Sequence, residues 1–568
     1  MIKEYNFDEF AIASRSQWRD KLNKDLGTDL ADRISNWTSE RNLKLSAYHD
    51  KEDVNLGMTV PEGVNRSWKY LQPIDLVDTK ESVQDALMNG ADGLLLNDVL
   101  IMSLDAVFEQ VAPEHCTLAV TTSNVESYKK ITTWCDQKIG TQNQSDFLLF
   151  YNNDKISSTV TTAHQNFMKE VFHIGSRKGH KVINLDCGLV QRNGGSVQLE
   201  LSYLLTQSVY YINRLIDEGK DINSISNSLF ISTSIGSNFF LELAKLRAMK
   251  ILMTQVLQAY GIENFSLPIH AFTSSLSKSI LDENTNFLRC TSEAMSAVLG
   301  GTDYLTIIPH HSLRFASRIA RNISNLLKDE SNLAKTEDPA AGSYYLENLT
   351  EKLAREVWKS FLDIEKKGGF EAAVSERFFE QEIEKDLEFQ RARIASGKRK
   401  LVGVNDFGNE SEQIPIDKHR RERVSLSQNF EEIRQQVEEY VLEYGEEKRP
   451  IAYLLGVGAD AKMINARFTF ATNFFNWSGI KVKKIDEEEK LGVTSIIICC
   501  GADDDYDEAT VSPALLGLES SIMVLAAGKH NSAASGKISS WINTRTNRLE
   551  GVRSVLMEMG VIKKSSVL

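Results

Sequence analysis

A chain of 568 residues that is 42% hydrophobic has room for two to four domains with large cores. Its 65 basic and 78 acidic residues leave a net charge of −13. That balance argues against a nucleic-acid surface as its main business. The first residues, MIKEYNFDEFAIASRSQWRDK, are charged and carry no apolar signal core, and no apolar run is long enough for a bilayer. A cytoplasmic location is therefore expected. The six cysteines (Cys116, Cys135, Cys187, Cys290, Cys499, Cys500) show no CxxC and no paired spacing, which predicts buried, reduced thiols.

In chain order, an arm comes first (1–65). Phe7–Trp37 has a helical pattern, and Leu43–Tyr48 reads as a strand. Eight short apolar runs follow: Tyr70–Ile74, Gly93–Asn97, Thr117–Thr122, Phe147–Asn152, Val182–Asp186, Leu229–Ser232, Ser266–Phe272 and Tyr304–Pro309. Each is bounded by turn or polar residues, as buried parallel strands are. Helix-like stretches separate them, such as Gln198–Asp217, Asn238–Ala259 and Ser277–Val298. Eight alternating units predict a (β/α)8 TIM barrel within 66–408, with an open doubly wound sheet as the alternative. Ligands of such a barrel sit at the carboxyl ends of its strands. There lie Thr121, Asn184, Asp186, Gln191 and His270, read here as candidates for an altered or vestigial barrel mouth, with purely structural polar roles as the alternative.

The stretch Glu337–Phe370 predicts a loop and then an amphipathic helix. Asn348 and Glu351 form a capping box, Leu349, Leu353, Val357, Phe361 and Ile364 a stripe, and Gly368–Gly369 a stop. A charged helix (Glu371–Ala395), a polar connector (Asn409–Ser425) and a helix (Phe430–Tyr444) lead on, with 409–448 as linker and helix. From 449 to 568 strands return at Ile451–Gly456, Lys481–Ile485, Ser495–Cys500 and Ser521–Gly528. They interleave with helices such as Ala461–Trp477, which predicts a small flavodoxin-like α/β domain. Gly456-Val457-Gly458 lacks the third glycine of a dinucleotide fingerprint and reads as a turn. His310-His311 has no supporting metal ligand, and Asp503–Asp505 reads as a solvated acidic turn.

The wording of EDPAAGSYYLENLTEKLAREVWKSFLDIEKKGGF (Glu337–Phe370) closely resembles the segment after the substrate barrel in methylmalonyl-CoA mutases. FDEFAIASRSQW (Phe7–Trp18), SIGSNFFLELAKLRAMKIL (Ser234–Leu252), SRIARNISNLL (Ser317–Leu327) and RKLVGVNDFG (Arg399–Gly408) resemble the same family. Much of this is scaffold, and Phe240, Leu243 and Ile251 are expected to face a core. The family isomerises acyl-CoA thioesters with adenosylcobalamin, so the resemblance implies a TIM barrel followed by a cobalamin-binding-type domain.

The residues that would serve that chemistry are changed. Where the family carries Tyr-His after the fifth strand, Gly188 and Leu189 stand here, with Gln191 and Gly194 retained. After the seventh strand His270 remains, but Pro268 replaces an arginine and Phe272 a glutamine. FLLFYN (Phe147–Asn152) replaces a polar fourth strand. The family's cobalt-binding loop, Asp-x-His-x-x-Gly, corresponds to GVGADAK (Gly456–Lys462), which has no histidine; between His419 and His530 there is none at all. His530 lies past the last strand, in the wrong loop. The resemblance thus implies a non-catalytic small (beta) subunit. No catalytic, cofactor or metal residue is expected in this chain, and adenosylcobalamin belongs to a large (alpha) partner subunit in a heterodimer. The alternatives are an acyl-CoA mutase with a rebuilt site that takes cobalamin from another subunit, and a free assembly or chaperone partner.

Overall fold

The computed structural model describes residues 13–563, apart from 39–42, 54–59, 61–66, 75–78, 99–103, 110–112, 139–145, 152–154, 264, 309–313, 411, 413, 415–423, 486–494, 516–521 and 531–533. His310, His311, Asn152 and the first residues of the expected opening helix lie outside the described residues. That helix begins at Arg15 and ends at Leu26. Ser14 accepts from the Gln17 N–H while the Gln17 side chain accepts from the Ser14 N–H, a reciprocal cap. A second helix, Thr28–Ser35, leads into an antiparallel ladder of β1 (Asn36–Thr38) and β2 (Lys44–Ser46).

Eight parallel strands follow: β3 (Lys69–Pro73), β4 (Gly93–Asn97), β5 (Thr117–Thr122), β6 (Phe147–Tyr151), β7 (Ile183–Asp186), β8 (Leu229–Ile235), β9 (Ile269–Thr273) and β10 (Tyr304–Thr306). Their order is β6-β5-β4-β3-β10-β9-β8-β7. The two ends meet. The Lys181 N–H donates to Phe147 O and the Leu149 N–H to Lys181 O, both at 2.9 Å, so the sheet closes on itself. Side chains alternate across each strand. One set, including Leu94, Val120, Leu149, Leu185, Ile231 and Ala271, packs outward under the helices. The other set, Leu71, Ala119, Leu148, Phe150, Phe230 and Tyr304, fills the barrel with Leu95 and Phe272. Burial on both faces explains why these strands read as unbroken apolar runs.

The helix Tyr344–Lys366 starts one turn earlier than its sequence suggests, with Ser343 at the cap. Asn348 and Glu351 are therefore inside it and form no capping box. Asn348 donates to Asp53 O at 2.9 Å, tying the N-terminal arm to the barrel, and Glu351 accepts from Arg355. Gly368, at φ +106°, does end it. The expected helix Ser277–Val298 begins only at Thr285; residues 274–284 form a turn-rich segment. Its Leu276, Ile280 and Leu281 are buried in the core of the C-terminal unit.

That unit holds five parallel strands: β11 (Ile451–Gly456), β12 (Lys481–Lys484), β13 (Ser495–Cys500), β14 (Met523–Ala527) and β15 (Ser540–Ile542), in the order β12-β11-β13-β14-β15. This is the flavodoxin-like order, flanked by helices such as Ala461–Phe475 and Arg548–Glu558. The helix Gln428–Tyr444 packs against it through Phe430, whose ring lies 4.5 Å from that of Trp477. All six cysteines are free, and burial pushes Cys116, Cys499 and Cys500 up to about 12. Among the described residues no helix is long and apolar enough to cross a membrane.

Candidate functional site

Asp186 ends β7 with Asn184 two residues before it, and Gln191 follows on the next short helix; His270 is the second residue of β9 and so lies below the carboxyl end where its sequence placed it. Asn184 and Asp186 lie at alternate positions of β7, so both point inward. The Ser232 hydroxyl of β8 sits 2.9 Å from Asn184 Oδ1 and 3.1 Å from Asp186 Oδ1. The short helix Gly188–Arg192 then turns Arg192 back over Asp186, with Nη2 to Oδ2 at 2.7 Å and Nη1 to Oδ1 at 3.3 Å. Arg192 Nη1 also reaches Ser234 Oγ at 3.4 Å. Partial burial works against the guanidinium charge, but the Asp186 carboxylate outweighs it. Sequence reasoning missed Arg192, Ser232 and Ser234. The period of two along β8 was the available signal for the serines; nothing local marks Arg192.

Gln191, on the same short helix, accepts from the Ser274 hydroxyl at 2.9 Å. It is buried, and so spends its amide oxygen within the protein. His270 is deeper and fully buried. Its ring stacks on Phe272 at 4.3 Å and meets the edge of Phe150 at 5.2 Å. Thr306 donates its one hydroxyl proton to Leu71 O at 2.9 Å, so at 2.8 Å from His270 Nε2 it must accept. The proton therefore resides on Nε2, and Nδ1 has no partner. Burial lowers the imidazole to about 3, which keeps it neutral near pH 7. Phe150, Phe230 and Phe272 pack edge to face around it, at 5.1 Å and 5.7 Å from Phe150. Thr121 is half-buried on β5.

Charged groups behind the rim are matched to each other. Lys245 Nζ lies 2.9 Å from Glu200 Oε2, 2.6 Å from Glu242 Oε2 and 2.6 Å from Ser234 O, all essentially solvent-free. Burial raises Glu200 despite that lysine. The Cys187 thiol faces Ser232 O at 3.3 Å, and burial raises it well above the usual thiol range, so it is not a ready nucleophile. Lys278 is held by Glu293 at 2.6 Å, with Ser277 donating to the other oxygen.

In the C-terminal unit, the loop after β11 runs through Gly458, at φ +83°. A Cβ there would collide with the Asp505 carboxylate, so the acidic turn folds directly onto this loop. Asp460 is spent as a helix cap, its Oδ1 accepting from the N–H groups of Lys462 and Met463. Asp503 pairs with Arg467 at 2.8 Å. His530 is exposed beside Trp541 in the connection between β14 and β15, so it is not past the last strand as its sequence suggests. The residues of the β11 loop thus offer carboxylates and amides but no imidazole, and do not fit a cobalt ligand. Among the described residues no group of three or more His, Cys, Asp or Glu is arranged to hold a metal ion.

A family model described as methylmalonyl-CoA mutase matches residues 108–443, more than half of the chain. The chain belongs to the methylmalonyl-CoA mutase family. It is 25% identical over 98% of its length to the methylmalonyl-CoA mutase small subunit of Porphyromonas gingivalis, covering 99% of that protein. To the small subunit of Streptomyces virginiae it is 31% identical, over 53% of this chain and 51% of that one. To the large subunit of Streptomyces virginiae it is 34% identical, over 44% of this chain and 35% of that one. The chain thus spans about half or less of the last two. In this mutase-family member, Gly188 stands where the resemblance places a tyrosine. A Cβ at Gly188 would lie 2.8 Å from Ser234 N and 2.9 Å from Arg192 Nη1. The β8 backbone and the Arg192–Asp186 pair have taken the space that a side chain would need. Leu189, at the histidine position, is buried.

Proposed function

We propose that this chain is the non-catalytic small subunit of a heterodimeric methylmalonyl-CoA mutase. Its large-subunit partner carries adenosylcobalamin and interconverts (R)-methylmalonyl-CoA and succinyl-CoA. The observation that carries the reading is the packing of the described side chains on the β7–β9 side of the barrel mouth and along its axis. Arg192 and Asp186 neutralise each other over β7, Gly188 admits no side chain, and Phe150, Phe230 and Phe272 fill the axis. A thioester and its carboxylate need polar groups that are free to grip them, and radical chemistry needs a cofactor held against them. The β11 loop, with no imidazole and with Asp505 folded onto it, supports the same reading. So does full-length likeness to a protein named as a small subunit.

The chain's role is then to support its partner through a shared interface. Affinity purification of the tagged chain from its native cells tests this. The expected result is one-to-one recovery of a homologous chain that has the histidine-bearing loop. Conversion of methylmalonyl-CoA by the isolated chain would overturn it.

A further inference from the structure

Outside the barrel mouth, a cavity of about 660 Å³ opens between the start of the helix Phe239–Ala259, the helix Thr285–Leu299 and the segment 393–402. Its wall is strongly basic. Arg289 is buried, with only 8% of its surface exposed, yet its two hydrogen-bond acceptors are neutral: Asn286 Oδ1 at 2.5 Å and Val402 O at 2.5 Å. Among the described residues no carboxylate lies within ion-pair distance of it. Asp282, Glu293 and Glu431 are near enough to be felt, but Asp282 accepts from the Thr285 hydroxyl, Glu293 is paired with Lys278, and Glu431 accepts from Ser279 and Ser427. Only two of its five N–H donors are spent on these acceptors, and the nearby carboxylates are not in contact with it, so the guanidinium retains donors for an anion at the cavity wall. Arg393, half-buried on the same wall, lies 5.7 Å over the Phe389 ring and has no carboxylate partner among the described residues. Arg399 donates to Gln390 and Ser237, and Lys400 is neutralised by Asp406.

The helix start adds to this field. The 21-residue helix Phe239–Ala259 has no side-chain cap at Asn238, its first residues border the cavity, and its one first-turn acid, Glu242, is paired with Lys245. At the rim, Phe240 is 51% exposed and Leu288 70% exposed. Cationic floor and apolar rim together match an anion attached to an apolar or planar body.

We propose that this cavity binds a phosphate-bearing small molecule of the nucleotide class, with the phosphate on Arg289 and Arg393 and the planar body against Phe240 and Leu288. Guanidinium forks match phosphate oxygens, and the helix N-terminus favours the same charge. The proposal is independent of whether the barrel mouth is inactive.

The test is calorimetric titration of the full chain with ADP, at low and at high salt. Saturable binding that weakens with salt is expected, and Arg393→Gln should weaken it about tenfold or more. Arg289→Gln should do the same, but it also removes the tie to Val402; if that variant fails to fold, Arg393→Gln carries the test. Lys366→Gln, on a remote exposed helix face, should leave binding unchanged. Absence of saturation at millimolar ADP would overturn the proposal, as would equal affinity in Arg393→Gln or equal loss in Lys366→Gln. Arg393-dependent binding of an acidic peptide without any binding of ADP would overturn it too, in favour of a protein-docking groove.

Discussion

Lys245 holds two carboxylates in a place without water. Removing one partner of such a set strands the rest, which typically costs ~3–5 kcal/mol. Lys245→Met should therefore lower the urea midpoint substantially. Arg355→Ala breaks only an exposed helical pair with Glu351 and should cost no more than ~0.5 kcal/mol. Equal shifts for the two variants would contradict the burial argument. Protonation offers a second check. Burial lowers His270 to about 3, and His164 and His180 to about 4, from an ordinary 6.5. The unfolded chain then holds more protons than the folded one below pH 6.5, so this contribution to stability is full above that pH and is lost as acid approaches the folded values. Glu200 and Glu293, raised by burial, act in the opposite sense, but they are common to wild type and variant and cancel in the comparison. His270→Phe keeps the stack on Phe272 and removes one such group. Its stability should fall less steeply between about pH 6 and 4, by up to ~1.4 kcal/mol per pH unit. An unchanged slope in urea melts would show that His270 charges freely in the folded barrel.

Elements were legible where both faces of a strand are apolar, as at Gly93–Asn97 or Phe147–Tyr151. Their ends were less so. β8 runs on to Ile235 because Thr233 faces outward to Glu200 and the Ser234 carbonyl serves Lys245, partners far away in sequence. Ser540–Ile542 is a three-residue strand among polar neighbours and carries no period of its own. Phe240 was expected in the core with Leu243 and Ile251; the latter two are buried there, but Phe240 is out. Phe239 and Phe240 are adjacent at a helix start and cannot both face inward. The same kind of distant contact shapes residues 274–284. Glu431 Oε1 accepts from the Ser279 hydroxyl, the Ile280 N–H and the Ser427 hydroxyl, at 2.7, 3.2 and 2.6 Å. Glu431→Ala leaves the Ser279 hydroxyl and the Ile280 N–H unmet between the barrel and the C-terminal unit, while the Ser427 hydroxyl still reaches Lys278 O at 3.3 Å. A loss of about 2–4 kcal/mol is expected, read as separation of a single thermal transition into two. A variant that melts as wild type would show that the apolar contacts of Leu276, Ile280 and Leu281 hold the two units together alone.

At the scale of the molecule, the fold of the family persists, while Leu189 is buried, Gly188 admits no side chain and Asp505 folds onto the β11 loop. The barrel was readable from strand rhythm, and the losses at positions 188, 189, 268 and 272 from single residues. The Arg192–Asp186 closure was not readable, because it depends on where a five-residue helix returns its last side chain. The same holds for Asp505 folding onto Gly458, which joins two loops 47 positions apart in number. Both closures act on the one question that decides what the chain does. Titrating the purified full-length chain with adenosylcobalamin, followed by calorimetry and visible absorption together, asks it directly. The account predicts no saturable heat in the micromolar range and an unaltered corrinoid spectrum. Stoichiometric uptake with the spectrum of a cobalt whose own base has been displaced would contradict it.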